Sequence, residues 1–208
     1  QFRNEEKLRD YYRGKKKGAG ESELDAFFAH RKGLHERNAV AHRRALVEVG
    51  RVRGVALASH DDTTVDHVAE SLADGVSVAE FPTTVEAARA SHAAGLAVLM
   101  GAPNVVRGGS HSGNVSAIEL AEAGVLDILS SDYVPVSLIE GAFGLAGVAA
   151  IGGLAGAVRT VTKNPAEATG MTDRGEIATA KRGDIVRVRL VEGHPVVREV
   201  YRLGRRVS

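Results

Sequence analysis

The residues best placed for chemistry lie between Gly101 and Pro135, which reads GAPNVVRGGSHSGNVSAIELAEAGVLDILSSDYVP. Arg107, Gly108, Gly109, Ser110, His111 and Asn114 form a glycine-rich polar run after an apolar stretch. Arg107 can fork two hydrogen bonds onto a phosphate. The amides of Gly108, Gly109 and Ser110, close to the helix that begins by Val115, can form an anion nest. His111 lies among glycines with nothing apolar to bury it. It can bind metal, touch a phosphate or act as a general acid. Asp132 ends a second apolar stretch, and an ionised carboxylate there is costly unless it is paired or bound to a cation. His60 and Glu80 end two earlier apolar runs in the same way. Asp61 and Asp62 are placed either to orient the His60 ring or to serve as turn and capping residues.

These residues need elements to position them, and the pattern supplies four βα units. Short apolar strands are expected at Val52–Ala58, Gly75–Ala79, Leu96–Met100 and Val125–Leu129. Each precedes polar residues and a helix. The helices are expected at Thr64–Ala73, Val85–Ala94 and Val115–Ala123, with Leu154–Thr162 further on. Alternation of this kind predicts a parallel sheet covered by helices. In such a sheet His60, Glu80, the loop around Asn114 and Asp132 share one edge. Residues 1–50 read as a charged helical segment, 51–172 as the βα array, and 173–208 as a small β appendage. The appendage holds a hairpin around Glu192-Gly193. Asn164 and Pro165 read as the N-cap and first residue of another helix, with Lys163 beside them in the same capping role. Gly141–Gly156 is so rich in Gly and Ala that loose order is expected. His30, His35, His42, His67, His92 and His194 read as surface residues.

Composition removes several function classes. The 208 residues carry 27 basic and 26 acidic side chains, a net charge of +1, so no global field draws the chain to nucleic acid or to a membrane. Cysteine and tryptophan are absent. Disulfides and cysteine-based zinc sites are thereby excluded, a reducing, cytoplasmic setting is expected, and base-stacking platforms are disfavoured. No secretory or membrane-spanning stretch is visible, because glycines interrupt the longest apolar run.

The order SHDD, EFPTT, GAPN-x-x-RGGSHSGN, SSDYVP, TKNPAEATG and a terminal hairpin resembles one branch of the amidohydrolase superfamily. That branch is the metal-dependent diphosphatases of the carbon–phosphorus lyase pathway for phosphonate degradation. RGGSHSGN and SSDYVP at this spacing are the specific part of the match. FRN-x-E-K-x-x-DYYRGK near the start agrees as well. The resemblance implies hydrolysis of α-D-ribose 1-methylphosphonate 5-triphosphate to the 5-phosphate and pyrophosphate. It implies one or two divalent ions, zinc or manganese, with His60, Glu80 and Asp132 as ligands. Asp132 would also take the proton of the attacking water. His111 would serve as acid or substrate contact, and Arg107, Gly108, Gly109, Ser110 and Asn114 would hold phosphate.

The family's His-x-His metal pair is missing, and only four of eight barrel strands are recognisable. The fold class implied is therefore α/β, the C-terminal half of a TIM-type (β/α)8 barrel with a terminal β-hairpin. Two other readings stand beside it. One is C–N bond hydrolysis, the commoner superfamily chemistry, against which the Arg107 loop favours a phosphorylated sugar. The other is a non-catalytic half-barrel that needs an N-terminal partner or a second copy to close its open sheet edges.

Overall fold

A computed structural model describes residues 5–15, 20–110 and 112–208. It divides into two compact units, Gln1–Leu57 and Ala58–Ser208. The first is helical. Helix α1 (Glu5–Lys15) lies against α2 (Glu21–Arg53) through Tyr12, whose ring sits 5.1 Å from Phe27 and 5.9 Å from Phe28. Arg9 donates to Asp25 at 2.6 Å and lies 4.7 Å over the Phe28 ring. Leu24 and Phe28 are buried beneath these contacts. The expected strand at Val52 is overturned, because α2 runs on to Arg53 and ends at Gly54 in the left-handed region (φ 60°). Valine lowers helix propensity by only a few tenths of a kcal/mol, too little to stop a helix already propagating. A left-handed glycine does stop it. The sequence GAG at Gly18-Ala19-Gly20 predicts a break between the two helices, and its first two residues lie outside the described residues.

The second unit opens with a parallel sheet of β1 (Ala58–His60), β2 (Val78–Glu80), β3 (Ala97–Gly101) and β4 (Ile128–Ser130), in the order β1-β2-β3-β4. The crossover helices are α3 (Val65–Ala73) after β1, α4 (Val85–Ala93) after β2, and α5 (Ala102–Arg107) with α6 (Ala117–Glu122) after β3. Local chemistry sets their starts. Thr64 and Thr84 accept N-cap bonds from the His67 and Ala87 amides. Ser116 and Glu119 form a reciprocal capping box. After β4 come α7 (Ser137–Leu145), a 3₁₀ turn (Ala149–Ile151), α8 (Gly153–Arg159) and α9 (Lys163–Ala168).

Because the strands are wound in one direction and crossovers are right-handed, the crossover helices share one face of the sheet. The core lies there. Val98, Met100 and Leu129 pack with Ala88, Leu120, Ala121, Leu145 and Ala157. Strand register puts Ala58, His60, Glu80, Leu99, Gly101 and Ser130 on the opposite face. That face is only partly buried, with Ala58 and His60 exposed.

Gly141–Gly156, expected to be loose, holds the end of α7, the 3₁₀ turn and the start of α8, and its α7 part packs closely. A Cβ on Gly141 would lie 2.8 Å from Ala102 Cβ, and one on Gly144 would lie 3.1 Å from Val105. The small residues let α7 approach α5 closely, so the segment gains its order from contact rather than side-chain bulk. Asn164 does not cap α9. Thr162 precedes that helix, and the Asn164 amide donates to the Asp127 carbonyl at 2.8 Å. Lys163 pairs with Glu176 at 2.8 Å instead of capping.

The tail is an antiparallel sheet of β5 (Ile185–Val191), β6 (His194–Arg202) and β7 (Arg205–Arg206). Glu192 (φ 51°) and Gly193 (φ 85°) make the expected turn. A second such turn, Leu203-Gly204, adds a strand that the sequence pattern did not indicate. Asp184 accepts the Leu203 amide at 2.8 Å and holds that turn in place.

Candidate functional site

Parallel pairing aligns the carboxyl ends of the strands. His60 sits opposite Glu80, and Gly101 opposite Ser130. Backbone strain marks this edge. Asp61 (φ 61°), Phe81 (φ 53°) and Asp132 (φ 49°) all take up left-handed conformations just past β1, β2 and β4. A bulky aromatic such as Phe81 rarely does so without function or strong tertiary constraint.

His60 stands between Asp61 and Phe81. Its Nδ1 lies 3.1 Å from Asp61 Oδ2, and the Phe81 ring stands edge-on to it at 5.3 Å. The Asp61 carboxylate stands on the Nδ1 side of the ring, which leaves Nε2 facing away from it, the side a cation would approach. Nε2 faces Glu80 Oε2 at 3.9 Å. Asp62, named beside Asp61 at the sequence level, is turned away. It is 1% exposed and accepts from Ser71 Oγ at 3.1 Å, and its carbonyl accepts the Thr83 amide.

Asp132 is exposed and leans over β3. A Cβ on Gly101 would lie 2.9 Å from Asp132 Oδ2 and 3.3 Å from its Cβ. Gly101 therefore provides the seat for that carboxylate. It stands one strand over and two residues beyond Leu99, the partner of Glu80. Ordinary strand spacings then put the Glu80 and Gly101 Cα atoms about 8 Å apart. Ser130, at the end of β4, has its Oγ buried with no hydrogen-bond partner among the described residues.

The predicted ligand trio is thus only partly assembled. His60 and Glu80 meet, Asp132 stands apart, and among the described residues no three His, Asp or Glu side chains come close enough to hold a metal ion. The physical reason is the sheet order, since Asp132 follows β4, two strands away from β2. The donors present fit two positions of a metal shell, one imidazole nitrogen and one carboxylate.

Arg107 was expected on a loop and instead ends a helix. Gly101 leads directly into α5, Pro103 opens its first turn and Gly108 (φ 79°) closes it. Six residues with two adjacent valines leave no periodicity to read, which is why the pattern missed this helix. Arg107 Nε and Nη2 donate to the Gly109 carbonyl at 3.3 and 3.1 Å, and Nη1 donates to Tyr133 Oη at 3.1 Å. Ser110 Oγ accepts the Ser112 amide at 3.2 Å and lies 3.1 Å from Ser112 Oγ. Asn114 follows left-handed Gly113, and Val115 is tied to the Thr83 carbonyl. His111 lies outside the described residues. Of the six histidines read as surface groups, His67 accepts the Thr63 amide, and His92 stands 3.1 Å from Asp127.

Tyr133, Phe81 and Gly101 were not singled out from sequence. The only signal was adjacency: Tyr133 follows Asp132, Phe81 follows Glu80, and Gly101 ends a strand.

No family model matches this chain. One solved structure, of an uncharacterized protein, is similar in fold with a TM-score of 0.60. The match covers 79% of this chain and 48% of that one at 22% sequence identity. Among curated proteins, the alpha-D-ribose 1-methylphosphonate 5-triphosphate diphosphatase of Escherichia coli (strain K12) is 49% identical over all 208 residues. The chain spans about half the length of this curated relative, 55% of it, and is similar to it from end to end.

Proposed function

We propose that this chain is the C-terminal half of a metal-dependent (β/α)8 hydrolase. It would release pyrophosphate from α-D-ribose 1-methylphosphonate 5-triphosphate in phosphonate breakdown. The observation that carries the reading is the 49% identity, over all 208 residues, to the bacterial diphosphatase. The sequential order of parallel strands supports a barrel, because doubly wound sheets reverse their strand order partway.

In this reading His60 Nε2 and Glu80 are two ligands of a divalent ion, zinc or manganese, both compatible with mixed nitrogen and oxygen donors. The ion supplies Lewis acidity and a water of lowered pKa when bound. Asp132 would be the group that accepts a proton from the attacking water. Asp61 would orient the His60 ring from its Nδ1 side. Arg107, with the amides of Gly108, Gly109 and Ser110 and the Asn114 side chain, holds phosphate oxygens. These donors offset the charge that moves onto the leaving pyrophosphate, and His111 is the acid or contact on that group. The test is pyrophosphate release from the ribose triphosphate by an enzyme containing these residues. Wild-type turnover by its Asp132→Asn variant would remove Asp132 from the proposed role.

A second reading concerns the 208 residues alone. The partly buried face holding His60 and Glu80, and the lack of any three-ligand cluster among the described residues, favour a half-barrel that needs four further strands for activity. Turnover by the purified 208-residue chain as a monomer would overturn it.

A further inference from the structure

We infer that Tyr133 is a positioning residue. Its hydroxyl fixes the Arg107 guanidinium against the segment that carries Asp132, and so sets where a bound phosphate sits relative to that carboxylate. The inference rests on the phosphate-binding role proposed for Arg107.

The geometry is specific. A guanidinium has five N–H donors in a rigid plane. Two contacts from Arg107 go to its own loop, at the Gly109 carbonyl, and these orient the plane only relative to the end of α5. The third, from Nη1 to Tyr133 Oη at 3.1 Å, crosses to the next βα connection, 26 residues further along the chain. Tyr133 is the neighbour of Asp132, whose backbone is left-handed and whose carboxylate sits over Gly101. The Arg107–Tyr133 bond is therefore a strut between an anion-binding group at the end of α5 and a proton-accepting group on the connection after β4. Arginine is flexible along its stem, and Arg107 is exposed. Without the strut the guanidinium keeps its charge and its bonds to Gly109 but is no longer referenced to Asp132. Two N–H groups remain for an anion after the three contacts are made, enough for one bidentate phosphate grip.

The test is a double-mutant cycle read by titration calorimetry, with inorganic pyrophosphate added to the 208-residue chain. Tyr133→Phe keeps the ring and removes only the hydroxyl. It is expected to weaken pyrophosphate roughly three- to tenfold, the effect of one hydrogen bond, with the thermal midpoint unchanged. Arg107→Ala is expected to weaken binding by more, and adding Tyr133→Phe to it is expected to do nothing further. A Tyr133→Phe effect that persists in full on the Arg107→Ala background overturns the strut, because the hydroxyl then acts by itself. A Tyr133→Phe protein that binds like the unaltered chain overturns it as well. Failure of the unaltered chain to bind pyrophosphate, or an Arg107→Ala variant that binds normally, overturns instead the phosphate-binding reading on which the strut depends. In an active enzyme the same Tyr133→Phe change is expected to lower kcat as well as raise KM. A loss of anchoring alone would raise only KM.

Discussion

Replacing Gly101 by alanine separates the seat of Asp132 from the stability of the sheet. Gly101 has φ −77° and ψ 130°, a backbone conformation any residue adopts, so alanine brings no torsional strain. Its Cβ would lie 2.9 Å from Asp132 Oδ2 and 3.3 Å from Asp132 Cβ. The carboxylate must then move by about half an ångström or more to reach ordinary van der Waals contact. Turning one exposed side chain off its rotamer costs about 0.5–1.5 kcal/mol. The loss of glycine's freedom in the unfolded chain offsets about 0.4–1 kcal/mol of that. Net stability should therefore change by less than about 1 kcal/mol, measured as the urea midpoint of the variant. With Asp132 in the role proposed for it, turnover should respond far more strongly, since displacing a reacting group by about 1 Å costs on the order of 100-fold. The assay is pyrophosphate release by the intact enzyme carrying Gly101→Ala. A folded variant with unchanged turnover would refute the claim that Asp132 must occupy this seat. A stability loss above about 3 kcal/mol would show that the contact is structural, a matter of packing in the sheet.

Other outcomes follow from the same geometry. Gly141→Ala places a methyl group 2.8 Å from Ala102 Cβ and 3.2 Å from Ala102 Cα, and should destabilise the chain by about 1–3 kcal/mol in urea melts. Leu120→Ala, at a fully buried position in the main cluster, should cost about 2–5 kcal/mol by the same measurement. Glu119 is held below the usual carboxylate range by the Ser116 backbone amide and then its side chain, and Asp184 by the Leu203 amide. A carboxylate with a depressed folded pKa stabilises fully above its unfolded value, about 4, and less as pH falls through the folded value. Acid titration of stability should therefore steepen below about pH 4, and Glu119→Gln should flatten part of that slope. Dialysis of the 208-residue chain against zinc or manganese, followed by elemental analysis, should leave no stoichiometric metal, because His60 and Glu80 are only two donors. One equivalent retained would show a complete shell.

The sequence alone determined the alternation of elements and the edge on which the polar residues lie. Strand ends are legible because apolar runs stop at SHDD, EFPTT and SSDYVP, and parallel pairing leaves those ends no other place to go. The hairpin at Glu192-Gly193 was legible for the same local reason. What sequence could not supply was distance. The long helix passed through Val52 because helix propagation is cooperative and its stop lay at Gly54. Gly141–Gly156 looked unpackable because a glycine's value lies in what approaches it, which only the fold reveals. Asp61 and Asp62 are indistinguishable as letters, yet one turns to His60 and the other to Ser71. Tertiary structure alone decided that His60 and Glu80 meet, that Asp132 rests over Gly101, and that Tyr133 reaches Arg107. Each depends on strand register and on left-handed backbone at the strand ends, and both arise from long-range pairing rather than local preference.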